Sequence, residues 1–176
     1  MVNFTSNTYQ MKREILTFSN KISRKLPKPE KKFIADMNYG ILASNSCLLT
    51  DIVDQLHEHS KKINSVDRLS RHLSKGTPKD ALRAYLTHIK KWCPAHPVIH
   101  IDDSDVVKPD GYKFESLGWV RDGSESTSTK NVYKKGYHVT EATVLTNNNH
   151  PVSLFSKIHS SNEKGFTSIN NINFSA

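Results

Sequence analysis

The sequence predicts an α+β protein in two parts, an all-helical basic region over residues 1–95 and a strand-rich region over 96–176. Apolar residues recur every three or four positions up to Trp92, which marks helices. From Val98 onward they form short β-branched runs and alternating stretches, which mark strands. The charge divides at the same place. Up to Ala95 there are 17 Lys and Arg against 8 Asp and Glu, and from His96 onward 8 against 9. All of the net charge of +8 therefore belongs to the helical region, as expected if that region meets phosphates.

Five helices are expected. Met11, Ile15, Phe18 and Ile22 make one apolar face of a helix over Tyr9–Leu26, and Pro27 and Pro29 break it. A second helix runs over Glu30–Ile41 with Phe33, Ile34, Met37 and Ile41 inward. Ser44-Asn45-Ser46 offers a cap for a third, which carries Leu48, Leu49, Ile52, Val53 and Leu56. Asn64 or Ser65 caps a fourth, VDRLSRHLSK, and Gly76 stops it. Thr77-Pro78 starts a fifth that continues through Trp92. Beyond Pro97, Val98–Ile101 reads as a strand, followed by the polar run Asp102-Asp103-Ser104-Asp105. Gly136–Thr146 and Val152–Ile158 read as two strands joined by a turn at Asn147–Pro151, and Asp110–Lys135 reads as an excursion loop.

A chain of 176 residues holds one ordinary domain or two small ones. Its longest apolar runs are too short to span a bilayer, and MVNFTSNTYQMKRE lacks the apolar core of a signal peptide. Cys47 and Cys93 fit no CxxC pattern and read as thiols of a reducing compartment, so the expected location is cytoplasmic.

The segment IHIDDSD is the main candidate for chemistry. A strand ending in a carboxylate is a rigid way to present an acidic ligand, and magnesium takes oxygen ligands of this kind. Read alone, such acids more often cap a turn or helix than bind metal. In the DRLSRHL helix, Arg68 and Arg71 lie three apart, with Lys75 one turn on and Lys61 and Lys62 just upstream. This spacing makes a basic face that can be laid against DNA, or an ordinary solvated helix surface. Leu69 and Leu73 form the opposite, core-facing stripe. His57, His59, His96 and His100 have no ligand spacing that suggests a metal. The sequence carries no glycine-rich phosphate loop, GxSxG or HExxH motif.

Taken in order, VIHIDDSDVVKPDGYKFESLGWVRDGSES, KGYHVTEATVLT and HPVSLFSKIHS resemble the start of the catalytic domain of DDE-type transposases of bacterial insertion sequences. The counterparts are Asp103-Ser104, Lys108, Lys135-Gly136-Tyr137 and His150-Pro151. DMNYGILASNSCLLTDIVDQL and DRLSRHL are similar to that family's N-terminal DNA-binding region, so the resemblance covers roughly residues 28–176. It implies an RNase H-like sheet opening at the first strand, with Asp103, or alternatively Asp102, as the first acid of a two-magnesium phosphoryl-transfer site. It also implies transposon-end duplex DNA as partner, contacts through Lys61, Lys62, Arg68, Arg71 and Lys75, and a homodimer of the full protein.

The chain departs from that pattern in one respect. After Asp122 it holds no aspartate, and Glu125, Glu141 and Glu163 are its remaining acids. No closing helix is expected before Asn173-Phe174-Ser175-Ala176. The expectation is therefore a truncated transposase that binds DNA without a complete acidic triad. A non-catalytic DNA-binding regulator or inhibitor of transposase descent is the alternative, and a gene remnant that does not fold stably is a third reading.

Overall fold

The computed structural model describes residues 4–166. Among them run α1 (Phe4–Ile22), α2 (Lys28–Ser44), α3 (Leu49–Leu56), α4 (Lys62–Leu73) and α5 (Lys79–Ile89). The strands β1 (Ile99–Val107), β2 (Gly118–Arg121), β3 (Tyr133–Leu145) and β4 (Pro151–His159) follow. The fold is mixed α+β, helices first and sheet second. The chain divides into two compact units between Lys91 and Trp92. The expectation about Asn173–Ala176 lies outside the described residues.

In the helical unit the apolar stripes meet in one core. Ile52 and Leu69 are completely buried, packed with Leu26, Phe33, Ile34, Val53 and Ala81. Gly40 brings α2 against α3, because a Cβ there would overlap Cγ2 of Ile52. Pro29 sits in the first turn of α2, where its missing N–H costs nothing, and Asn45 ends that helix in the left-handed region at φ 51°. Leu73, expected inward beside Leu69, is 46% exposed.

Helix boundaries depart from expectation where side-chain hydroxyls find other partners. At the start of α3, Ser46 accepts the Leu48 N–H at 3.1 Å and donates to Asp51 at 2.8 Å. The fourth helix begins at Lys62, so Asn64 and Ser65, expected as its cap, lie inside its first turn. The Ser65 hydroxyl instead donates to Glu58 at 2.5 Å and lies 2.8 Å from Ser60 Oγ. α1 ends at Ile22, short of Leu26, and α5 at Ile89, short of Trp92, with Pro78 as its N-cap residue. Ser19 in α1 and Ser23 just after it can be fully buried because each donates to a carbonyl one turn back, Ile15 at 2.8 Å and Ser19 at 2.7 Å.

In the sheet unit β3 is the central, antiparallel partner of the other three strands. β1 pairs with Gly136–Val144 on one side, and β2 and β4 pair with Tyr133–Gly136 and His138–Leu145 on the other. The first strand does not stop at Ile101 but runs through the acidic residues to Val107, because β3 offers it a ladder of that length. β2 lies inside the segment expected to be a loop. Gly136 has neighbours on both sides, and a Cβ there would overlap the Val106 carbonyl oxygen and crowd Val120. No described helix is long and apolar enough to cross a membrane.

Candidate nucleic-acid interface and acidic strand

The alternation of a strand decides which acids of β1 stand together. Asp103 lies opposite Thr140 and Asp105 opposite His138, on the face that also carries Ala142 and Val144. Asp102 points to the other face and lies opposite Glu141, so the two candidate acids are separated by the sheet.

On the first face the side chains form a connected polar network. The Thr140 hydroxyl donates to Asp103 Oδ1 at 2.5 Å and lies 2.9 Å from His159 Nε2. A hydroxyl has one proton, so with that proton on Asp103 the Thr140 oxygen accepts from His159 Nε2–H. This fixes the neutral tautomer of His159 and leaves its Nδ1 as a buried lone pair without a hydrogen-bond partner. His159 is 1% exposed. Burial, and then the neighbouring His138, hold its pKa below the ordinary value, against the opposing pull of Asp103. His138 stacks on His159 with ring centroids 5.6 Å apart, and its Nδ1 lies 2.6 Å from Asp105. Asp105 also accepts the Arg121 backbone N–H at 3.0 Å, tying β1 to β2.

This donor set does not fit a pair of magnesium ions. The Thr140 hydroxyl already holds Asp103, and the groups next to it are a hydroxyl and imidazoles, where magnesium prefers carboxylates and water. The second carboxylate, Asp105, is engaged by His138 and the Arg121 N–H. Among the described residues no group of three or more His, Cys, Asp and Glu converges to hold a metal. Thr140, His138 and His159 were not singled out by sequence reasoning. Their signal, polar residues at every second position opposite Asp103 and Asp105, becomes visible only with the strand register in hand.

The basic residues proposed for DNA contact divide in two. Arg68 is turned into the helical unit, with its Nη2 2.8 Å from Asp36 and 3.0 Å from Glu58. Lys32 joins the same carboxylates, at 3.0 Å and 2.5 Å. This group of four fastens α2 and α4 to the α3–α4 connection. Burial alone would raise the pKa of Glu58, but hydrogen bonds from Lys32 and Ser65 and the charges of Arg68 and Lys32 outweigh it and lower it to about 2. Lys62 pairs with Asp54 at 2.7 Å on the surface. Lys61, Arg71 and Lys75 are exposed, with the Arg71 Nε donating to the Asp67 carbonyl at 3.2 Å. Beside Arg71, His72 stacks on Phe33 at 5.0 Å and so belongs to the packing of α2 on α4.

The chain matches no known family model, no curated protein and no solved structure at a significant level.

Proposed function

We propose that this protein binds duplex DNA as the DNA-handling part of a DDE-type transposase, and that its described residues do not form the metal centre that cuts it. The observation that carries the reading is the division of charge between the two units. The helical unit, up to Lys91, holds 17 Lys and Arg against 8 Asp and Glu, while the chain from Trp92 onward holds 8 against 9. A helical unit with nine positive charges in excess attracts a polyanion, and DNA binding then gains from the counterions it releases.

The order of elements supports the rest. An antiparallel run of β1, β3 and β4, with Asp103 in its first strand, is compatible with the opening of an RNase H-like sheet. Asp103 would be the first acid of that design. Its hydrogen bond to Thr140, with no converging set of acids among the described residues, favours binding without cleavage, the regulator-like form of the reading.

The test pairs two measurements on the 176-residue chain. Affinity for a random-sequence DNA duplex should fall steeply with salt, with a slope of about −0.9 per neutralised phosphate in log–log form. Supercoiled plasmid incubated with the chain and Mg2+ should stay intact. Salt-insensitive or absent binding defeats the DNA reading, and magnesium-dependent nicking defeats the non-cutting part of it.

A further inference from the structure

The helix singled out by sequence, α4, places Arg68 in an internal ion-pair group and Lys62 against Asp54. A denser set of cations lies elsewhere in the helical unit. The last turn of α1 and the segment after it bring Lys21, Arg24 and Lys25 to a groove, and α5 and the segment after it bring Arg83 and Lys91. The groove has a volume of about 510 Å³, and the small residues Ala84 and Thr87 of α5 also line it. Packing of α1 on α5 holds it, with the Phe18 and His88 rings 5.9 Å apart.

The charge in this groove is unbalanced. Five cationic side chains line the groove with one carboxylate, Asp80, which pairs with Arg83 at 3.8 Å. Among the described residues no carboxylate comes within ion-pair distance of Lys21, Arg24, Lys25 or Lys91, and all four are exposed. The negative end of the α1 dipole accounts for a cation in its last turn, Lys21. The negative end of α5 likewise favours Lys91 just beyond it, which leaves Arg83, inside α5, unaccounted for. Like charges gathered in one groove repel one another, and an anion lying between them relieves that repulsion.

We propose that the α1–α5 groove, rather than the α4 face, is where the helical unit grips the phosphate backbone of duplex DNA. The inference rests on the DNA reading above and moves its contact surface. Long, flexible cations suit a phosphate ladder, which carries charge at regular intervals and needs no deep pocket. The contacts are to phosphates, so the grip is independent of base sequence.

Binding of the full chain to a random-sequence duplex, measured by fluorescence anisotropy over a salt series, tests the placement. Lys21→Ala/Arg24→Ala/Lys25→Ala should weaken binding at least tenfold near 0.1 M salt and flatten the log–log salt slope by about 2 to 3, one phosphate contact counting for about 0.9. Arg83→Ala/Lys91→Ala, in α5 and the segment after it, should do the same to a lesser degree, and it carries the test if the triple variant does not melt cooperatively. Arg71→Ala/Lys75→Ala on α4 should change affinity less than threefold. If the α4 variant loses binding and both groove variants keep it, the groove assignment falls and the DNA reading stands. If the unaltered chain binds no duplex, both fall. Tighter, groove-dependent binding to phosphatidylglycerol vesicles than to duplex would overturn the proposal in favour of a membrane surface.

Discussion

The helical unit buries Leu26, Phe33, Ile34, Ile52, Val53, Leu69, Ala81 and Ile89 beside three serines, Ser19, Ser23 and Ser65, whereas the sheet unit buries Asp122, Thr140, Thr146, His159 and Ser160 beside Val120, Ala142 and Val144. The first core is held by apolar area, which has no direction and tolerates small shifts. The second depends on hydrogen bonds, so each polar group there needs its partner in place. Charge is built into both units. In the helical unit the paired ions of Lys32, Asp36, Glu58 and Arg68 bridge elements at its edge, and the surplus cations stay exposed. In the sheet unit Asp103 and Asp105, on the exposed strand β1, are held by Thr140 and His138 of β3. A unit built on apolar burial can leave its charges free for a ligand. The ionisable groups that each unit does use in its packing, Glu58 in the one and His159 in the other, make it sensitive to pH.

Trp92 and Trp119 both fall in the sheet unit. Tryptophan fluorescence therefore follows that unit, while circular dichroism at helical wavelengths follows the other. Ile52→Ala should produce the largest effect, about 2–5 kcal/mol, because it removes a fully buried side chain and opens a cavity between α2 and α3. The dichroism transition should move to lower denaturant and the fluorescence transition should stay. If both move together, the two units unfold as one, and the contrast in their cores does not govern stability.

Arg68→Ala comes next, at about 2–3 kcal/mol, since it leaves Asp36 and Glu58 with Lys32 as their shared cation in a half-buried setting. Duplex affinity per folded molecule should change little, which separates the structural role of Arg68 from the contact role its spacing suggested. A loss of affinity beyond tenfold in a chain that still melts normally would restore that contact role. The same ion group sets an acid limit. Glu58 has a pKa lowered from 4.5 to about 2, so its contribution is complete above pH 4.5 and drains away as pH falls toward 2. The gap corresponds to about 3 kcal/mol. It should register in the dichroism of the helical unit and disappear in Glu58→Gln.

The helices were legible because an apolar stripe of period 3.6 names its own inward face, and Ile52, Val53 and Leu69 lie where that stripe puts them. Arg68 misled for the same reason. Spacing places it on a face but cannot say that Asp36 and Glu58, ten and more residues away, occupy that face too. In the sheet, Asp103 and Asp105 read as the end of a strand because carboxylates are poor strand formers. The ladder with β3 overrides that preference, and Thr140 and His138 satisfy the acids across the strands. The four-residue strand β2 has too short a run to show alternation at all. The α1–α5 groove escaped notice because its cations come from segments some sixty residues apart, joined only by helix packing.

The smallest effect is the one that most sharpens the contrast. His159 is neutral in the fold because burial and His138 disfavour its charged form, and because Nδ1, the atom that would take the proton, has no acceptor to meet. An unfolded chain frees that imidazole to titrate at its ordinary value of about 6.5. The unfolded state therefore binds more protons than the folded one as pH drops below 6.5. Stability of the sheet unit then declines, by at most about 1.4 kcal/mol per pH unit, until the folded imidazole is itself protonated. Above pH 6.5 the contribution is complete and flat. Asp103, Lys157 and Glu163 share the surroundings, and the two acids pull against the effect, so the measured slope should be shallower than that ceiling. His159→Gln keeps an N–H to offer Thr140 and removes the titration, so the fluorescence midpoint should become level between pH 5 and 7 while the dichroism midpoint is unchanged. A slope that survives this substitution would place the pH sensitivity elsewhere in the sheet, and the buried lone pair of His159 would have no energetic consequence.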